Sequence, residues 1–137
     1  MKHVQAADKH YQQALDLCPA AAVAVLGPIH HQLGILYADV GQMEPAREQY
    51  EKAAQYKEQC GDRHGAGITR DGMAIMYLRA AATEETPARQ RDLLLRAEVY
   101  AQAALRDFQH YEGRAADEEA KAQQLLDDIG QALAELA

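Results

Sequence analysis

Histidine is the residue of this sequence that most readily suggests metal or acid–base chemistry, and the 137-residue chain contains six. His30 and His31 are adjacent, and adjacent helical residues point about 100° apart, so the two rings cannot easily face one ion. His3 and His10 share a helical face, but no His or Cys lies between them. No His-x-x-x-His or Glu-x-x-His motif occurs. The spacing therefore predicts no metal site.

Acidic residues form a second group that could do chemistry, because a buried carboxylate paired with another can act as a general acid. They lie near the end of the chain, at Asp117, Glu118, Glu119, Asp127 and Asp128. Leu125, Leu126, Ile129 and Leu133 fall on the other side of the same helical pattern, which indicates a solvated acidic face. With no serine and no phosphate-binding glycine loop, the sequence predicts neither an enzyme nor a cofactor site.

Composition narrows the class of partner. The net charge of −7 would repel a phosphate backbone, so nucleic acid is not expected as a partner. The longest apolar stretch, Pro19 to Gly27, is too short to span a bilayer, and the start of the chain lacks the apolar core of a signal peptide. A cytoplasmic protein is the prediction.

Cys18 and Cys60 form no Cys-x-x-Cys pair and are expected to be free buried thiols.

A repeated stripe of small and aromatic residues indicates the elements that organise the chain. The spacing of four and three residues recurs three times, at Ala7, Tyr11 and Ala14, at Ala46, Tyr50 and Ala53, and at Ala97, Ala101 and Ala104. The second set follows the first by 39 positions, and the third follows the second by 51. Such a stripe lies on one face of a helix, and its small residues let a neighbouring helix approach closely.

A second pattern alternates with the first along the chain. His30, Leu33, Gly34 and Tyr37 are followed forty positions later by Arg70, Met73, Ala74 and Tyr77. Glycine inside a helix costs about 1 kcal/mol relative to alanine, so close packing at Gly34 is the expected reason for it. Self-similarity at such periods is typical of helical repeat proteins.

Leu-Gly-x-x-Tyr followed by Ala-x-x-x-Tyr-x-x-Ala resembles the tetratricopeptide repeat, in a longer variety with a period near forty. The matching signature positions are Leu33, Gly34, Tyr37, Gly41, Ala46, Tyr50 and Ala53, with His30 where the family often has Trp. Ala7, Tyr11, Ala14 and Pro19 match the second half of a preceding repeat. A second full repeat matches more loosely, through Met73, Ala74, Tyr77, Ala97, Ala101 and Ala104.

The resemblance implies an all-α fold, a right-handed superhelical array of antiparallel helix pairs with about six helices. We expect one domain over residues 1–137, divided into a half repeat at 1–19, a repeat at 20–60, a repeat with an insertion at 61–111, and a terminal helix at 112–137. Expected helices run from about Lys2 to Leu17, Ala24 or Pro28 to Asp39, Glu44 to Gln59, His64 to Ala82, Ala88 to His110, and Arg114 to Leu136. Ala80 to Asp92 contains the insertion, which either lengthens both helices or forms a protruding elbow.

The resemblance also implies where a partner would bind. In the family the first helix of each pair lines a concave groove. The matching positions here are Pro28, His31, Ile35 and Asp39 from one pair, and Ile68, Asp71, Ile75 and Leu78 from the next. The isoleucines and Leu78 make this stripe apolar and suited to an amphipathic helix or extended peptide. The Lys and Asn clamp with which some members bind a C-terminal carboxylate is not reproduced.

Two further alternatives stay open. The groove residues could be covered by the chain's own terminal helix. The protein could also be a regulatory sensor for a short signalling peptide, although the leading prediction is a protein-interaction scaffold.

Apolar residues of the first helix, among them Leu15 and Leu17, would lie at an open edge, so a two-fold homodimer is expected, with a monomer as the alternative.

Overall fold

The structure, a computed structural model, describes residues 23–137 together with Lys9 and Gln13. Five α-helices occupy most of residues 23–137, and no strand occurs among the described residues. The helices are α1 (Val23–Asp39), α2 (Met43–Gln59), α3 (Arg63–Thr83), α4 (Pro87–Gln109) and α5 (Ala116–Glu135). The predicted all-α fold is confirmed, with α1 packed on α2 and α4 packed on α5. The first predicted helix, with Ala7, Tyr11 and Ala14, lies outside the described residues.

None of these helices is both long enough and apolar enough to cross a membrane. The observed helix bounds differ from the predicted ones by one or two residues at most ends. α1 begins at Val23, so Pro28 lies inside the helix and does not open it. The chain divides into two compact units, the first extending to Ala66 and the second from Gly67 to Ala137, and each unit is described below by itself.

The core of the first unit is the contact between α1 and α2. Leu26 and Leu33 of α1 are buried, as are Ala46, Tyr50 and Ala53 of α2. A Cβ on Gly34 would lie 2.7 Å from Cδ1 of the Tyr50 ring, so only glycine fits beneath that ring. The small–aromatic–small stripe is therefore the packing face of α2, and Gly34 is the close approach that the sequence predicts.

Two glycines end α1 and α2 in the same way. Gly41 and Gly61 have φ of 78° and 75°, a left-handed conformation that glycine adopts without strain. In the first turn, the Gln42 N–H donates to the Tyr37 carbonyl at 2.9 Å, and the Gly41 N–H donates to Ala38 at 3.0 Å. The turn at Gly61 repeats this pair of hydrogen bonds, which is the Schellman motif.

Cys60 corrects one prediction made from the sequence. The residue caps the C-terminus of α2, directly before Gly61, and its side chain is exposed. It is free, as expected, but not buried, because it lies in the turn and not on the packing face of α2. Cys18 lies outside the described residues.

The second unit packs α3 against α4, and α4 against α5. Met73, Ala74 and Tyr77 of α3 are buried, and the Tyr77 ring stacks on the ring of Tyr100 with centroids 5.8 Å apart. A buried cluster that includes residues of α4 and α5 consists of Ala104, Phe108, Ala115 and Ala122, with Leu105 and Tyr111 partly buried against it. Ala101 and Ala104 are fully buried, which fits their place in the predicted stripe.

Contacts of the first helix pair recur in the second at shifted positions. A Cβ on Gly27 would lie 2.9 Å from Cγ of Lys57, and a Cβ on Gly67 would lie 2.8 Å from the ring of Phe108. Gly67 follows Gly27 by forty positions, whereas Phe108 follows Lys57 by 51. The same two offsets relate the stacked pair His30 and Tyr56 to the ion pair Arg70 and Asp107. The second pair is thus a longer copy of the first.

The additional eleven residues lengthen both helices of the second pair. The connections between paired helices are residues 40–42 and 84–86, three residues in each case and 44 positions apart. Four of the added residues therefore lie in α3 and seven in α4. We call residues 80–93 the hairpin extension. Of the two outcomes that the sequence left open, the structure shows the lengthening of both helices, because α3 continues to Thr83 and α4 begins at Pro87, a position where proline is tolerated.

Candidate functional site

The predicted partner-binding residues of the first unit lie along α1. His31, Ile35 and Asp39 follow each other at four-residue intervals and so share one side of the helix. His31 and Ile35 are half-buried and Asp39 is exposed. The His31 ring meets the Tyr50 ring edge-on, with centroids 5.5 Å apart. The packing that holds Gly34 against Tyr50 therefore also positions His31. Pro28, one turn before His31, is exposed.

The charge state of His31 follows from this position. Burial, and to a smaller extent the nearby Lys57 ammonium, together lower the pKa of its imidazole to about 4. Burial also lowers the pKa of Lys57, whose Nζ donates to the Gly65 carbonyl at 3.2 Å. His31 is consequently neutral near pH 7 and can offer a partner an uncharged ring with hydrogen-bonding nitrogens.

The predicted residues of the second unit lie along α3. Ile68 is 42% exposed, while Asp71, Ile75 and Leu78 are half-buried. Burial raises the pKa of the Asp71 carboxyl, and Lys121 of α5 opposes that rise. One carboxylate oxygen of Asp71 is buried without a hydrogen-bond partner among the described residues. The side of α3 that carries these residues thus stays partly open to solvent, with α5 beside it.

Polar pairs behind the two stripes hold the first helices in place. His30 is buried, with Nδ1 2.6 Å from Oε1 of Gln49 and its ring stacked on Tyr56. At the matching position of the second pair, Nη1 of Arg70 donates to the Asp107 carboxylate at 2.6 Å. A hydrogen bond to a carboxylate in such a buried setting is strong and directional. These pairs are structural, because each joins the two helices of one repeat.

A pocket that the sequence did not predict lies in the second unit, where the hairpin extension meets the end of α5. Its volume is about 240 Å³. Apolar side chains from all three helices line it, with one carboxylate at the edge: Leu78, Ala81, Leu94, Ala132, Glu135 and Leu136. Leu78 is the residue that the pocket shares with the α3 stripe. The sequence signal for this pocket is the difference between the two repeat offsets, which are 40 residues for the first helices and 51 for the second helices.

The described residues contain no group of three or more His, Cys, Asp or Glu that could hold a metal ion. The ionisable residues of the α1 and α3 stripes, His31, Asp39 and Asp71, lie singly between apolar side chains. The arrangement is suited to contact with another molecule's apolar surface, with a few polar groups to set register.

Comparison with known proteins identifies one part of the chain. Residues 27–60 match the family model of the tetratricopeptide repeat. The helix pair of α1 and α2, with its close approach of Gly34 to Tyr50, is therefore a tetratricopeptide repeat. No curated protein and no solved structure matches the chain.

Proposed function

We propose that this protein is an interaction module that binds a partner protein or peptide through the stripes of α1 and α3. The observation that carries the proposal is the difference in burial between the packing stripes of the second helices and the predicted binding positions of the first helices. The second-helix stripes, with Ala46, Tyr50 and Ala53 as the first example, are buried. The first-helix positions instead keep Ile35 and Ile75 partly exposed and Ile68 at 42% exposure. Tetratricopeptide repeats are interaction modules, which supports the same reading of residues 27–60.

The chemistry of the stripes favours a partner with apolar side chains on one face. Isoleucine side chains recurring at helical intervals match the anchor spacing of an amphipathic helix or the alternate residues of an extended peptide. The net charge of −7 disfavours a nucleic-acid partner. We propose no catalytic activity, and turnover abolished by one carboxylate or histidine substitution would contradict that. A cytoplasmic location stays a prediction from the sequence.

Paired substitutions test the stripes. Ile35→Asp combined with Ile75→Asp should weaken capture of partner proteins by about tenfold or more, because each change places a charge in a desolvated contact. The control combines Leu95→Asp with Val99→Asp, which makes the same chemical change at exposed apolar positions on the second helix of a pair. Affinity capture with the intact chain, followed by mass spectrometry, compares the two variants with the wild type.

Proteins captured by the wild type and by the Leu95/Val99 control, but lost with the Ile35/Ile75 variant, would support the stripes. Equal capture by all three forms would rule them out, provided that circular dichroism shows the same helix content. A short peptide that co-purifies with the protein would indicate the sensor function instead, since that function needs a small ligand and no protein partner.

A further inference from the structure

The pocket at the hairpin extension exists because the second helix pair is longer than the first. Ala81, Ala82 and Gln90 come from the added residues, and Leu78 and Leu94 lie next to them. Ala132 and Leu136 bring the end of α5 over this extension. The first pair, with its shorter helices, has no such segment. The pocket is therefore a property of the insertion and not of the repeat itself.

The volume of the pocket limits what it can hold. A dry apolar cavity of about 150 Å³ accepts benzene, whereas sites for drug-sized ligands measure about 300–1,000 Å³. At about 240 Å³, this pocket has room for one aromatic or leucine side chain, with little left for a larger group. Its polar groups are few, since the Gln90 amide already donates to the Glu84 carbonyl at 2.6 Å. An apolar anchor residue fits these dimensions better than a polar metabolite does.

Charge around the pocket narrows the occupant further. Of the acidic residues of α5, Glu135 lines the pocket and Asp128 lies one turn before Ala132, whereas Arg89 and Arg91 flank Gln90 on the hairpin extension and Arg89 pairs with Glu84. Glu135 lines the pocket, is exposed, and makes no ion pair with any other described residue. A segment with Lys or Arg beside its anchor would be attracted.

We propose that the pocket binds one large apolar side chain of a partner segment whose neighbouring residues are Lys or Arg. The anchor enters between Leu78, Leu94 and Leu136, and a flanking ammonium or guanidinium pairs with Glu135. This site is independent of the α1 stripe and shares only Leu78 with the α3 stripe. The pocket can therefore be tested separately from the binding function proposed above.

A synthetic helical peptide tests the proposal directly. The probe has one central Phe, with Lys one turn before it and one turn after it. Two matched peptides carry Ala in place of Phe, or Glu in place of both Lys residues. Fluorescence anisotropy gives the dissociation constants, and methyl NMR reports shifts at Leu78, Leu94 and Leu136. Removing the buried ring should weaken binding by about tenfold or more, and the Glu peptide should bind several-fold more weakly than the Lys peptide.

Protein variants locate the binding. Ala132→Phe fills the pocket and should abolish peptide binding; Ala82→Leu, at an exposed lining position, does the same if the first variant fails to fold. Glu135→Lys should weaken binding of the Lys peptide several-fold, and more so at low salt. The control is Asp127→Lys, the same charge change five residues before Ala132 and so on the other side of α5.

The outcomes separate cleanly. Loss of binding with the pocket variants and the Ala peptide, with Asp127→Lys close to wild type, supports the pocket. Binding that is unchanged by Ala132→Phe and Ala82→Leu, or no detectable binding of the Phe–Lys peptide, overturns it. If only the Ile35/Ile75 variant abolishes peptide binding, the stripes are the site and the pocket is not. Equal loss with Glu135→Lys and Asp127→Lys overturns the role given to Glu135.

Discussion

At Gly34, helix propensity and packing act in opposite directions. Glycine in a helix interior costs about 1 kcal/mol relative to alanine, so propensity alone favours substitution. A Cβ at this position, however, would lie 2.7 to 2.9 Å from three atoms of the Tyr50 ring. The ring is buried, and a buried ring cannot shift without disturbing its other neighbours. Packing therefore outweighs propensity at Gly34.

Gly34→Ala should lower the free energy of unfolding by about 1 kcal/mol, because overpacking of a core costs about 1–3 kcal/mol and the propensity gain offsets part of it. Gly130→Ala on α5 is the matched control, since nothing lies within 4 Å of a Cβ built there. That change should leave the protein as stable as the wild type or up to about 1 kcal/mol more stable. Urea unfolding measures both, and equal stability of the two variants would contradict the close approach.

His31 makes the folding stability depend on pH. Its pKa in the folded protein is about 4, below the ordinary value of 6.5. Between these values the unfolded chain binds a proton that the folded chain does not, so the contribution is complete above about pH 6.5 and is lost as the pH falls towards 4. His31→Gln should reduce the drop in urea midpoint between about pH 7 and pH 5.

His110→Gln, which changes an exposed imidazole, serves as the control for that experiment. An equal loss of pH dependence in the two variants would contradict the role given to His31. A proton NMR titration of the His31 ring that gives an ordinary histidine pKa would show that the ring is not desolvated as described.

At the scale of the helices, the two helix pairs use different side-chain chemistry at the same contact between their first and second helices. Where His30 stacks on Tyr56 in the first pair, Arg70 bonds Asp107 in the second, and the Asp107 side chain is only 6% exposed. A buried ion pair adds little stability relative to apolar residues, but removing one partner leaves the other charge without compensation. We therefore expect the pair to fix the register of α3 on α4 more than to strengthen their contact.

Asp107→Ala should lower the free energy of unfolding by about 3 kcal/mol, because the Arg70 guanidinium loses its carboxylate in a largely buried site. Arg70→Met combined with Asp107→Leu should cost clearly less, since neither charge then remains. A double-mutant cycle in urea gives the coupling energy. Strictly additive losses would indicate that the two side chains do not interact in solution.

Much of this element-level structure could be predicted from the sequence, because the repeat stripe fixes which side of each helix is buried. Leu33, Gly34, Ala46, Tyr50 and Ala53 occupy the packing positions that their spacing indicates. The course of the insertion could not be predicted, since Ala-rich and polar residues around Glu84 fit an elbow and a longer helix equally well. The pocket depends on where α5 ends relative to the insertion, which no local pattern encodes. The α1 and α3 stripes stay a prediction.

At the scale of the whole molecule, the sequence predicts a two-fold dimer. Burial of an exposed apolar edge at about 25 cal/mol per Å² favours association, and such contacts are usually isologous. The first-helix residues expected at that edge lie outside the described part of the chain. Light scattering at micromolar concentration should give about twice the 15.1 kDa chain mass. A monomeric mass that persists as the sample is concentrated would exclude the dimer.

The hairpin extension also shows how a repeat can become longer while the same sides of its two helices continue to face each other. An α-helix rotates by about 100° per residue, so four added residues turn α3 by about 400° and seven turn α4 by about 700°. Each is within about 40° of a whole number of rotations. The contacts between the paired helices are therefore kept. Phe108 still faces Gly67, as Lys57 faces Gly27 in the first pair. Asp107 still faces Arg70, as Tyr56 faces His30. A helix pair can therefore lengthen by nearly whole turns at the hairpin extension. The added residues can form a binding site, while the contact between the two helices nearer the base of the pair keeps its alignment.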